Sequence, residues 1–307
     1  MQVVIAEPTR KGLVSTFGTT LVFEKKKRAM KCSMSNRRRN QIEVLNYNVV
    51  MREYKPETYW DGVAVDIGAR EDLNLIAGDD EPYYRYKRRL FLKLFDKIDV
   101  QNKKVLEIGS GPGGNLDFLS HKGCAELAGV DVSKKMIDLS KRILGNKPVR
   151  LQKIDGHSLP FDNDYFDLVF TSTVLQHNTD SGQLQELVRN ICRVSKSQVI
   201  IFERIEKKIS GHATNQGRPV EYYATLFREN GFTLIKTQFL PIQVSYLLCG
   251  MIRKVFNKRY RREGQPVSKI CYTLENIVLS VTRVMDKLVP SKRDLGMMVF
   301  KKNVSRS

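Results

Sequence analysis

Acids are scarce at both ends of this 307-residue chain, cysteines are few and scattered, and no apolar run approaches the length of a membrane span. The five cysteines (Cys32, Cys124, Cys192, Cys249, Cys271) include no C-x-x-C pair. That spacing gives neither a zinc site nor a disulfide framework, so a reducing cytoplasm is the expected setting. The uncharged stretch at residues 239–252 is broken by Pro241, Gln243 and Ser245, which argues against a transmembrane helix. The short apolar stretches near the start precede the basic cluster instead of following it, so a secretory signal does not fit.

The missing acids leave a net charge of +19, unevenly placed. Residues 1–40 hold 10 Lys/Arg against 2 acids, residues 241–307 hold 14 against 4, and residues 41–240 hold 28 against 27. A nearly neutral centre with basic ends suits an anionic partner: a membrane surface, a nucleic acid or a phosphorylated substrate. Residues 1–40 lack steady periodicity and carry the runs 25–28 and 37–39; they read as a disordered, solvated segment. A basic, acid-poor start also fits a mitochondrial presequence.

What is present is concentrated in the centre. Residues 105–114 read VLEIGSGPGG, a buried strand entering a glycine-rich turn and then a helix. Gly109, Gly111 and Gly113 allow a tight turn and close approach to a ligand. The pattern also satisfies the dinucleotide fingerprint through Gly109, Gly111 and Gly114, and Asp131 follows at the end of a second apolar run. An acid there can bind either cofactor's ribose, so it does not discriminate. Glu107 does. A carboxylate two residues before the first glycine repels a pyrophosphate but suits a ligand with an ammonium group, such as S-adenosylmethionine. A third apolar stretch ends at Asp155, and the block from Asp155 to Phe161 suits a loop bordering an adenine.

These stretches, VLEIGSGPG at 105–113, GVDVS at 129–133, DGHSLPF at 155–161, FDLV at 166–169 and VLQH at 174–177, together resemble the class I S-adenosylmethionine-dependent methyltransferases, in the ubiquinone/menaquinone-type branch. The resemblance covers roughly residues 80–205. It implies an α/β fold: a doubly wound, mostly parallel seven-stranded sheet. The cofactor-binding set it implies is Glu107, Gly109, Ser110, Gly111, Gly113, Asp131, Val132, Asp155, Gly156 and Thr171.

Alternating strands and helices from Lys104 onward agree with that fold. Strands are expected near 104–108, 127–131, 149–154, 166–171 and 197–203, with helices over 133–144 and 181–194. Residues 231–239 and 295–301 read as two last strands, which the family pairs antiparallel with the seventh between the fifth and sixth. The chain then divides into a basic segment (1–40), an N-terminal helical cap (41–100), a cofactor-binding core (101–240), a basic helical insertion (241–294) and a last strand and tail (295–307). The insertion carries two apolar-striped helical patterns, about 243–260 and 267–288. It reads equally as a substrate-facing or membrane-contacting lid and as a helical pair packed on the sheet edge. In the cap, Tyr59, Trp60, Tyr84 and Tyr86 are candidates to close the pocket.

Methyl transfer asks mainly for alignment, with a general base only for a hydroxyl or ammonium-like acceptor. The segment after the fourth strand lacks the Asn/Asp-Pro-Pro-aromatic motif of nucleobase amino-methyltransferases. His177, His212 and Glu203 are the catalytic candidates, Arg218 is a substrate-binding or helix-capping candidate, and His157 belongs at the cofactor rim. The leading expectation is a small-molecule methyltransferase acting on a lipid or glycan intermediate at an anionic membrane surface. An RNA or protein methyltransferase using the basic ends, and a non-catalytic methyltransferase-like subunit, are the alternatives; a nicotinamide-dependent oxidoreductase comes last.

Overall fold

The structure, a computed structural model, describes residues 54–70, 81–257, 261 and 263–303. The readings of residues 1–40 as disordered segment or presequence, and of residues 41–53 as the start of the cap, fall outside these. Met1–Glu53 and Tyr54–Ser307 are two units of the chain, and the described residues belong to the second.

Two helices precede the sheet, α1 (Pro56–Gly68) and α2 (Pro82–Phe95). Each opens on a proline, where the missing N–H has no intrahelical partner to lose. Strands and helices then alternate: β1 (Lys104–Ile108), α3 (Gly114–Leu119), β2 (Glu126–Asp131), α4 (Lys134–Leu144), β3 (Val149–Lys153), β4 (Phe166–Ser172), a single 3₁₀ turn (Leu175–His177), α5 (Ser181–Val194) and β5 (Ser195–Ile205). A short hairpin, β6 (Ser210–His212) and β7 (Asn215–Gly217), leads to α6 (Val220–Arg228) and β8 (Phe232–Phe239). The insertion forms α7 (Gln243–Phe256) and α8 (Lys269–Met285), and β9 (Asp294–Lys302) closes the fold.

The seven-stranded sheet has the order β3-β2-β1-β4-β5-β9-β8. β9 runs antiparallel between β5 and β8, as the resemblance implies. Central strands alternate between two cores, as a period of two requires. Val169, Val199 and Ile201 pack with α5 and α6, on Leu187 and Phe227. Leu168, Phe170, Ile200 and Phe202 pack with α2 and α3, on Phe95 and Leu116. Strand order reverses between β1 and β4, so the loops leaving those two strands part at the carboxyl end of the sheet. That is where doubly wound sheets bind ligands.

The insertion is fastened to α2. Asp286, buried at the end of α8, accepts from the Val244 backbone N–H (2.8 Å) at the start of α7 and from the Tyr86 hydroxyl (3.3 Å) on α2. The Ser245 hydroxyl donates to Asp286 and meets the Thr282 hydroxyl at 2.7 Å between the two helices. Arg253 of α7 pairs with buried Glu275 of α8 (3.6 Å) and lies over the rings of Tyr83 and Tyr84. Of the two readings of this segment, a helical pair packed against the body describes its inner side. Its outer side stays exposed.

Candidate functional site

A cavity of about 740 Å³ opens at the carboxyl end of the strands, between the glycine turn, the loop after β4 and helices α1, α2 and α7. Gly109 takes φ +68°, and a Cβ there would meet Val174 at 2.3 Å. Only glycine lets the turn after β1 lie against the loop after β4.

Glu107, at the end of β1, is fully buried beside this turn and lines the cavity. Its Oε1 accepts from the Asn115 side-chain amide at 2.6 Å, while Oε2 is buried with no hydrogen-bond partner. Asn115 in turn accepts from Arg88 of α2. Burial outweighs the Asn115 bond and the Arg88 charge and pushes the Glu107 carboxyl up to about 8. A buried carboxylate with a free oxygen facing a cavity is a seat for a cation that donates hydrogen bonds.

Asp131 ends β2. It accepts from the backbone N–H of Gly111 (2.9 Å) and of Ser133 (2.8 Å), so it also holds the glycine turn in shape. Burial raises its carboxyl to about 6 against the pull of those bonds. Ser133 donates to Asp61 of α1 at 2.6 Å, which ties the first helix to this rim. Asp155 accepts from the N–H groups of His157 (3.0 Å) and Ser158 (2.7 Å), shaping the loop after β3.

The loop after β4 is held by two buried charged side chains, one for each polarity of its backbone. Glu203 accepts from the N–H groups of Val174 (3.1 Å), Leu175 (3.0 Å) and Gln176 (3.0 Å) and from the Thr171 hydroxyl (3.0 Å). Arg218 donates to the carbonyls of Leu175 (2.9 Å) and Asn178 (2.6 Å). His177 sits on this loop, buried, with Nδ1 2.8 Å from the Thr214 carbonyl and Nε2 3.2 Å from the Gln176 amide nitrogen. A carbonyl only accepts, so Nδ1 carries the proton and Nε2 the lone pair. Burial lowers the pKa of this imidazole, against the Thr214 bond and the Glu203 charge. The Trp60 ring meets it edge-on at 4.9 Å.

Of the expected cofactor residues, Glu107, Gly109, Ser110, Gly111, Asp131, Val132, Asp155 and Gly156 line the cavity. Gly113 and Thr171 do not. Gly113 is needed for packing instead, since a Cβ there would meet Ser140 at 2.4 Å, and the Thr171 hydroxyl is spent on Glu203. Among the catalytic candidates, only His177 lines the cavity. His212 lies exposed on the β6–β7 hairpin. Glu203 has its oxygens committed to the loop after β4. Arg218 likewise positions the loop. Trp60, Tyr84 and His157 line the cavity, whereas Tyr59 packs on Trp60 and Tyr86 on Asp286.

Sequence reasoning did not single out Arg88, Asn115, Tyr246 and Asp294, all of which line the cavity. Asp294 is buried in a left-handed conformation (φ +64°) and binds Lys87 (2.8 and 2.9 Å) and the Tyr83 hydroxyl (2.7 Å). The one available signal was topological. An antiparallel last strand begins at the end of the sheet where the parallel strands finish, so its first residues face the site.

The sheet order, the glycine turn and the acids at the ends of β1 and β2 are those of the class I S-adenosylmethionine-dependent methyltransferase fold, and the residues fit its cofactor: the partnerless Glu107 oxygen suits the ammonium and Asp131 the ribose. Residues 105–198 match the methyltransferase domain family; the match is to the general domain and does not select the ubiquinone/menaquinone-type branch. The chain is 29% identical over 87 residues to a phosphoethanolamine N-methyltransferase of Plasmodium falciparum, covering 28% of this chain and 33% of that protein. It is 27% identical over 132 residues to a fatty-acid O-methyltransferase of Mycolicibacterium smegmatis, covering 42% and 47%. The matches therefore span less than half the length of these curated relatives. Among solved structures, magnesium protoporphyrin IX methyltransferase of Synechocystis superposes with a TM-score of 0.51 at 12% identity, covering 80% of this chain and 95% of that one. A chain from the complex containing the Haloferax volcanii Trm112 methyltransferase activator superposes at 0.54 and 14% identity, covering 82% and 100%. At these identities the likeness is one of fold. No helix among the described residues is long and apolar enough to cross a membrane.

Proposed function

We propose that this chain is a methyltransferase that passes the methyl group of S-adenosylmethionine to an O, N or C atom of a small molecule, a lipid or glycan intermediate handled at a membrane surface. The observation that carries the cofactor half is Glu107: buried, facing the cavity, with one oxygen lacking any partner. The sulfonium of S-adenosylmethionine supplies an electrophilic methyl group and a good, neutral leaving group, so the protein contributes orientation and exclusion of water. Glu107 binds the ammonium end, Asp131 the ribose, and the Asp155–Gly156 loop borders the base. The cavity extends past His177 to Arg204, Tyr246 and Asp294, which leaves room for an acceptor beside the loop after β4. For an acceptor that must lose a proton, His177 is the residue placed to take it through Nε2, with the Gln176 amide turned aside. The names of the relatives, one acting on phosphoethanolamine and one on a fatty acid, support a small acceptor with lipid chemistry.

Incubation of purified protein with methyl-labelled S-adenosylmethionine and fractionated cell extract tests this reading. Label is expected in the organic-soluble or membrane fraction. Label in RNA or protein would replace the acceptor class and make the basic ends the recognition surface. Cofactor binding with no labelled product in any fraction would leave the chain a non-catalytic subunit.

A further inference from the structure

We infer that the outer face of the α7–α8 pair docks on the surface of an anionic phospholipid bilayer. On α8 and the turn after it, Ile270, Ile277, Val281, Val284 and Leu288 are 60–79% exposed and share one side of the helix by their spacing. On α7, Leu247, Met251 and Val255 do the same at i, i+4 and i+8, with Val255 70% exposed. Single exposed apolar residues are ordinary, but two such stripes on adjoining helices are not.

The charges around the stripes select the occupant. Lys254, Lys269, Lys287 and Lys292 are exposed. The only acids within residues 243–257 and 269–293, Glu275 and Asp286, are both buried, one paired with Arg253 and the other bonded to Ser245, Val244 and Tyr86. The exposed surface of the two helices is thus apolar and cationic, with no acid among their described residues. A partner helix is ordinarily met by edge charges of both signs. Apolar stripes flanked by lysine alone are the composition of helices that lie in a lipid headgroup layer. The sequence joining the two helices reads KRYRRE at 258–263, of which Arg261 is turned inward to Glu81 (2.9 Å). Neither helix can cross a bilayer, so the pair lies on the surface. Tyr246, on the same helix as the α7 stripe, lines the cavity, so docking would bring the cavity close to the lipid.

This deepens the lipid reading of the acceptor and rests on it for its purpose, but its test reads binding without turnover, so either can fail alone. The full chain is floated with vesicles of phosphatidylcholine, and of phosphatidylcholine mixed with phosphatidylserine. Binding is expected only or mainly to the anionic vesicles, by about fivefold for each lysine engaged. The variant I277D/V281D is expected to lose about tenfold or more, while binding S-adenosylmethionine as the parent does. That second readout shows the variant is folded. Undiminished flotation of the variant would overturn the proposal, because the basic segment 1–40 would then account for the binding. So would a parent dimer, seen by light scattering, that the same variant converts to monomer, since the face would then belong to a second copy.

Discussion

At the scale of single residues, Glu107 and Glu203 show two uses of a buried carboxylate. The folded Glu107 holds its proton up to about pH 8, well above the ordinary value of 4.5. Between those values the folded chain keeps a proton that the unfolded chain has lost, so the stability of the cofactor-free protein falls as pH rises through that window. The same proton must leave before an ammonium can pair with the carboxylate. S-adenosylmethionine affinity should therefore rise with pH up to about 8, with Asp131 adding to the slope below about 6. Glu107→Gln should bind about 10- to 100-fold more weakly, with the slope above pH 6 removed; calorimetric titrations across that range would show it. Glu203 has no such freedom, since its two oxygens take three backbone N–H groups and a hydroxyl. Glu203→Ala leaves these donors buried and should cost about 3–5 kcal/mol in denaturant unfolding. If Glu203 were instead a catalytic base, the substitution would abolish transfer with stability unchanged.

At the scale of elements, what matters is how irregular segments are held. The loop after β4 has no regular structure beyond one 3₁₀ turn, yet Glu203 satisfies its N–H groups and Arg218 its carbonyls. A buried loop is tolerable only when its backbone polar groups find such partners. The start of α7 is held in the same manner by Asp286, from a helix more than forty residues further along the chain. Asp286→Ala should free the first turn of α7, cost about 1–3 kcal/mol, and speed amide exchange at Val244 and Ser245 by tenfold or more. Exchange in β1 and β4 should change far less, because those strands belong to the central core.

At the scale of the whole molecule, the cofactor is expected to stabilise the domain it completes. Saturation at about 100 times its dissociation constant adds ~2.7 kcal/mol, which for a unit of this size raises the melting temperature by roughly 5–10 °C. NAD at the same concentration should leave it unmoved above about pH 8, where Glu107 carries its charge beside the glycine turn. The charge distribution acts at the same scale. Of the chain's +19, +18 resides in its two ends, and within the described residues the acids of α7 and α8 are turned inward while the lysines stay out.

The strands of the central domain, the glycine turn and the acids beside it were legible in the sequence, for local reasons, and the place of the last strand followed from the family resemblance. Apolar runs of strand length, a turn that requires glycine and acids at strand tips are written in consecutive residues, and Glu107 and Asp131 lie within or beside those stretches. Folding decided the rest by joining distant segments. No spacing rule links Asn115 and Arg88 to Glu107, or Glu203 and Arg218 to the loop after β4, since each partner comes from another element. Thr171, Glu203 and His212 read as site residues because strand ends and loops near them face the cavity, but a side chain's direction is set by what packs beside it. The sequence by itself determined the class of fold and the place of the acid at the end of the first strand, because those depend on local chain chemistry. Only the tertiary structure decided which polar groups remain free to meet a ligand, because a group is free only once every other one has found its partner.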